Sequence, residues 1–143
     1  MAEEKKAPVS LASLMTSSKT VEIDYPGRTG MKVKLCYLAR EELVKLRKRC
    51  ISTKWNKKTH QPEEDLDEDK FIVEYTKAVI KGWKGLKYRY LEELLLVDVG
   101  ELDLDDELPY TQDNAELLMK NATSFDTWVT EAVGDLENFT GSK

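Results

Sequence analysis

The side chains best suited to chemistry are few in kind. Acids are plentiful, at 27, and two runs space them alternately: Asp65, Asp67 and Asp69, then Asp103, Asp105 and Glu107. Such spacing can open a calcium loop, which needs glycine at its sixth position and a bidentate glutamate at its twelfth. Lys70 and Thr76 stand there in the first run, Leu108 and Asn114 in the second. Both runs therefore read as solvated acidic loops. The one histidine, His60, lies in a polar stretch beside Lys57 and Lys58, without the second ligand or base that a metal site or dyad requires. Cys36 and Cys50 read as small core residues, since neither has a base near it in sequence to generate a thiolate. Gly82-Trp-Lys-Gly85 is too short for a phosphate loop. A carboxylate pair for hydrolysis exists by residue type, but no pattern positions one. The expectation is a protein that is not an enzyme, with no catalytic residues, no cofactor and no metal.

Binding is the alternative to catalysis. Net charge is −5 over 143 residues, yet the first ninety sum to +7 and residues 91–143 to −12. An uneven distribution of this kind serves either a charged partner or attraction between the two halves. The basic run from Lys45 to Lys58 contains Trp55, and an aromatic among lysines can stack a base and hold phosphates. A pI near 5.1 argues against nucleic acid. Trp55 with Lys54, Lys57 and Lys58 is instead the candidate patch for a protein partner. No apolar run reaches the length of a membrane span, so no membrane partner is expected. The charged N-terminus lacks a signal peptide's apolar stretch, and the sequons at Asn121 and Asn138 are read as chance matches. Two cysteines make no disulfide framework, so the default compartment is a reducing cytoplasm.

These residues need elements to position them. Residues 1–18 read as a flexible leader, and 19–143 as one domain. Val21, Ile23 and Tyr25, then Met31, Val33, Leu35 and Tyr37, alternate with polar residues across a Pro26-Gly27 turn. That is a β-hairpin over 19–38 with one apolar face to cover. Leu43, Leu46, Cys50 and Ile51 predict a helix over 40–52, and Phe71, Ile72, Tyr75, Ala78 and Val79 another over 68–81. The stretch 53–67, with Pro62, reads as a polar loop. Gly82 and Gly85 end the second helix around Trp83. Residues 86–97 fit a short helix or an extended segment, and 98–108 an acidic loop closed by Pro109. A helix follows with Thr111 as its N-cap, and a last one, capped by Thr123 or Ser124, carries Phe125, Trp128, Val129, Val133 and Leu136. The fold class is α+β, a mostly helical single domain with an N-terminal β-hairpin.

Three stretches taken in order, Val79–Leu86, Glu107–Leu118 and Phe125–Phe139, give a tryptophan-glycine turn, a proline-started helix with Asn-Ala-x-x-Leu-Leu, and an aromatic-led helix ending in Asn-Phe. Over residues 19–140 this order resembles the tail assembly chaperones of long-tailed, siphovirus-type bacteriophages. The resemblance implies a protein that binds the tape measure protein, keeps it soluble and promotes polymerisation of the tail tube protein around it. It implies the host bacterial cytoplasm as location, absence from the mature virion, and sometimes a longer form made by frameshifting. Trp83, Gly85, Pro109, Asn114, Phe125 and Trp128 match the family's pattern and imply structural roles. A tail-completion or connector protein of the virion is the alternative, a host regulatory adaptor a third reading and a small hydrolase the last. The hairpin edge also leaves self-association open.

Overall fold

The computed structural model describes residues 8–16 and 18–140. Residues 1–7, 17 and 141–143 fall outside these ranges, so the expected leader is described only in part. Its one regular turn is α1 (Leu11–Leu14), with Val9, Leu11, Leu14 and Met15 exposed.

The expected hairpin is present as β1 (Ser18–Asp24) and β2 (Lys32–Leu38), antiparallel, with Val21 opposite Leu35 and Ile23 opposite Val33. The link between them turns through Gly27 and Gly30, both at positive φ, and closes with Tyr25 N–H donating to the Met31 carbonyl at 2.8 Å. Alternation does what it must in a half-covered sheet. Met31, Val33 and Leu35 point into the interior and are fully buried, while Lys34 between them is exposed.

The expectation of a mostly helical chain with only an N-terminal hairpin is overturned. Among the described residues there are six α-helices and five strands, and the strands form two antiparallel sheets. After α2 (Arg40–Arg49) the supposed polar loop is a second hairpin, β3 (Ile51–Asn56) and β4 (Gln61–Leu66). Its strands carry acids, lysine and proline on both faces, so no apolar period of two announces them. After α3 (Glu68–Val79), β5 (Ile80–Lys84) pairs with β2, completing a sheet in the order β1-β2-β5. The Gly82–Gly85 stretch is thus mostly strand rather than a helix-ending turn. The ambiguous stretch resolves into α4 (Tyr88–Leu94) followed by extended backbone at Leu95.

α5 (Gln112–Asn121) starts at Thr111, whose Oγ1 accepts from Asn114 N–H at 3.0 Å, as the sequence predicts. α6 (Thr123–Gly134) has Ala122 as its N-cap and no side-chain cap, so neither Thr123 nor Ser124 fills that role. α3 and α6 lie against β2, and α5 packs on both. Phe125 is fully buried at this junction, with its ring 5.9 Å from Tyr25 and 6.3 Å from Trp128. Phe139, beyond a 3-10 turn at Leu136–Asn138, closes the core against Tyr37 at 5.3 Å. Each such buried side chain contributes about 2 kcal/mol.

Candidate functional site

Two surfaces could meet a partner. The first is the tip of the β3–β4 hairpin. Trp55 is 60% exposed opposite Pro62. Lys54 stands opposite Glu63 and pairs with Asp65 at 3.0 Å, on the other face from Trp55. Lys57 and Lys58 lie in the turn, where the Asn56 side-chain oxygen accepts from Lys58 N–H at 2.8 Å and Thr59 N–H at 3.2 Å. His60 ends that turn at φ 58°, a left-handed conformation that costs a non-glycine residue. The hairpin therefore brings Trp55, Lys57 and Lys58 to one exposed tip and points Lys54 away. Only its base is tied down, by buried Cys50 and by Asp67 N–H donating to the Cys50 carbonyl at 2.8 Å.

The family-pattern residues sit elsewhere, on and just after β5, before and in α5, and in α6. The Trp83 indole N–H donates to the Leu108 carbonyl at 2.9 Å, and its ring meets Tyr110 edge-on at 5.0 Å. Tyr110 donates back to the Ile80 carbonyl at 3.1 Å. Gly85, at φ 74°, gives its N–H to Glu107 at 2.8 Å, and a Cβ there would lie 2.0 Å from the Gly30 carbonyl oxygen. Pro109 offers its carbonyl to the Asn114 side-chain amide at 3.0 Å. Trp128 stacks edge-on against Tyr25 at 4.7 Å.

The acidic runs are dispersed by the fold. Asp65 lies in β4, Asp67 caps α3 by accepting from Lys70 N–H at 3.1 Å, and Asp69 belongs to α3. Asp103 accepts from Asp105 N–H at 2.9 Å. The Arg89 guanidinium, 2.9 Å from Asp105, holds that carboxyl below its ordinary range, with Lys87 adding to the effect. Among the described residues no cluster of three or more His, Cys, Asp or Glu is placed to hold a metal, and both cysteines are free and buried. Three ion pairs, Arg28–Glu93, Lys87–Asp105 and Arg89–Asp105, join cations of the first ninety residues to acids beyond them. Part of the charge asymmetry is therefore spent inside the molecule. No helix among the described residues is long and apolar enough to cross a membrane.

The second surface was not legible as a site. Three hollows neighbour one another around α5. The largest of the three, about 520 Å³, is lined by Phe71, Ile72 and Met119 and, from α2, by Leu43. Phe71 and Tyr75 stack at 5.5 Å along its wall. Burial pushes the Tyr75 hydroxyl up from its ordinary pKa; Thr130 opposes this by hydrogen bonding and the Asp126 charge adds to it. A second hollow, about 340 Å³, shares Ile72 and Lys120 with the first and adds Val73 and Leu117. The third, about 460 Å³, shares Leu117 and continues to Leu95, Leu96 and Val97. The first two form an apolar trough between α3 and α5; Leu117, 57% exposed, stands between it and the third, where Leu96 is wholly exposed. The available signal was apolar residues off the buried stripe: Leu117 sits beside buried Leu118, and Leu94–Val97 is a longer apolar run than one face can bury.

With this geometry the molecule is a small α+β protein with two antiparallel sheets and two exposed surfaces suited to contact. Residues 39–143, from α2 onward, match the family model described as YdaY prophage protein, and the chain belongs to that family. It is a phage-derived protein. The β1–β2 hairpin lies before the matched region. Neither the curated proteins nor the solved structures give a match.

Proposed function

We propose that this protein is a tail assembly chaperone, which binds the tape measure protein, keeps it soluble and promotes assembly of the tail tube around it. The observation that carries this reading is the apolar trough between α3 and α5, left uncovered within a very charged chain. Concave apolar surface bordered by a few charged groups is a common seat for another molecule, and a long unassembled helical client has apolar surface to cover. The charged remainder keeps such a complex dissolved. Membership of a prophage family supports the phage setting, and the ordered resemblance of Val79–Leu86, Glu107–Leu118 and Phe125–Phe139 supports the tail. On this reading the protein acts in the host bacterial cytoplasm and leaves before the virion is complete.

Co-expression with the tape measure protein of the same prophage tests it. The client should move from the pellet to the soluble fraction and co-purify with this chain. A client equally insoluble with and without the chain contradicts the proposal. Recovery of the chain from purified particles, read by mass spectrometry, would favour a tail-completion or connector protein instead.

A further inference from the structure

The rim of the trough restricts what can lie in it. Glu68 and Asp126 border the largest hollow, and Asp69, Asp113 and Glu116 border its neighbour; Lys120 is the one cation shared by both. Among the lining side chains five acids stand against one base, and Arg47, 6.0 Å over the Phe71 ring, is a further cation beside them. Lys120 is already engaged with Asp69 at 3.7 Å. Among the described residues no cation pairs with Glu68, Asp113, Glu116 or Asp126, although the chain makes ion pairs freely elsewhere. Beneath the largest hollow lies Thr76, fully buried, whose hydroxyl has no hydrogen-bond partner among the described residues. Buried polar groups are almost always satisfied, so an unpartnered hydroxyl beneath this lining calls for an explanation. The trough runs between two helices, α3 and α5, which suits a third helix laid along it with apolar side chains as anchors.

We infer that the trough receives an amphipathic helix of a partner protein, with leucine-like anchors on one face and lysine or arginine on its flanks. The inference rests on the proposed holding role and adds the chemistry of the segment held. Unpaired acids on the rim set the sign: a cationic flank gains four partners, whereas an acidic flank meets like charge in a partly desolvated groove. Complementary charge governs which helix is accepted, and the apolar anchors supply most of the affinity.

The test uses the full chain and a fluorescent eighteen-residue synthetic helix, with leucines at i, i+4, i+7 and i+11 and lysines on the flanks. A matched control peptide carries glutamates in place of the lysines. Fluorescence anisotropy should show the lysine peptide binding at least about tenfold tighter than the glutamate peptide, a preference that shrinks as salt is raised. Asp113→Lys with Glu116→Lys should abolish the preference. Leu117→Glu, at an exposed position that leaves the fold intact by circular dichroism, should abolish binding of the lysine peptide. Equal affinity for both peptides, no binding of either, or binding indifferent to Leu117→Glu overturns the inference. Binding seen only after residues 1–16 are removed would assign the trough to the chain's own Val9–Met15 and also overturns it. So does a dimer that Leu117→Glu converts to monomer, which would assign the trough to a second copy. The assay contains no tape measure protein, so its failure and that of the co-expression experiment are separate results.

Discussion

The two hairpins of this chain have the same backbone pattern and opposite foundations. β1–β2 is made by burial: Val33 and Leu35 are fully enclosed, β5 extends the sheet, and α3 and α6 cover it. β3–β4 has nearly all its side chains in water and neither face covered. It is held by its ladder, by the Asn56 turn, by Lys54–Asp65 and by a buried base at Cys50. A two-stranded ribbon of this kind is marginal unless something else anchors it. The comparison teaches that strands need not be bought with apolar residues. Where pairing and turn chemistry suffice, the side chains stay available for solvent or a partner, and little global stability depends on them.

That contrast can be broken most forcefully at Phe125. Truncation to alanine should cost about 4 kcal/mol in urea unfolding, since the ring is fully enclosed between Tyr25 and Trp128. A loss below about 1 kcal/mol would mean the body is not organised around this ring. Gly85→Ala should follow at about 3 kcal/mol, because it combines positive φ with a Cβ 2.0 Å from the Gly30 oxygen. The arm should respond far less. His60→Gly relieves the left-handed residue at φ 58° and should stabilise by about 0.5 kcal/mol, while Trp55→Ala should change stability by no more than about 0.5 kcal/mol. If Trp55→Ala instead costs as much as a core truncation, the β3–β4 hairpin is not independent of the body.

The smallest effect concerns pH. Asp105 is held below its ordinary pKa of 3.8 by the Arg89 hydrogen bond and charge. Its contribution is therefore present above that value and is lost as pH falls through the lowered one. Asp105→Asn should narrow the gap in melting temperature between neutral and strongly acidic solution. An unchanged gap would show that the pair, which is solvent-exposed, adds nothing measurable.

What could be read from residues alone follows the same division. Met31, Val33 and Leu35 carry the period of a half-covered strand, and Phe125, Val129 and Val133 the period of a buried helix stripe, so those elements were legible. β4 was not, because Gln-Pro-Glu-Glu-Asp-Leu has neither strand propensity nor alternation; only its pairing with β3 makes it a strand. β5 was hidden for a different reason. Ile-Lys-Gly-Trp-Lys continues directly from α3, and Gly82 within it and Gly85 after it suggest a stop, whereas β2 recruits the segment as a neighbour. Of the candidate patch, Trp55, Lys57 and Lys58 do meet at one tip, but Lys54 faces the other way. The trough was invisible as a site because its parts, Leu43, Ile72 and Leu117, come from three helices that no local pattern brings together.

The most direct test of the chaperone reading sets the two exposed surfaces against each other with the client itself. The tape measure protein is co-expressed with the chain, with a trough variant carrying Val73→Glu and Leu117→Glu, and with an arm variant carrying Trp55→Ala, Lys57→Glu and Lys58→Glu. Soluble client is measured in each case. The expected result is a fall of about tenfold with the trough variant and a change within about twofold with the arm variant. Soluble client undiminished by the trough variant, with that variant folded, would contradict the trough as the client's seat.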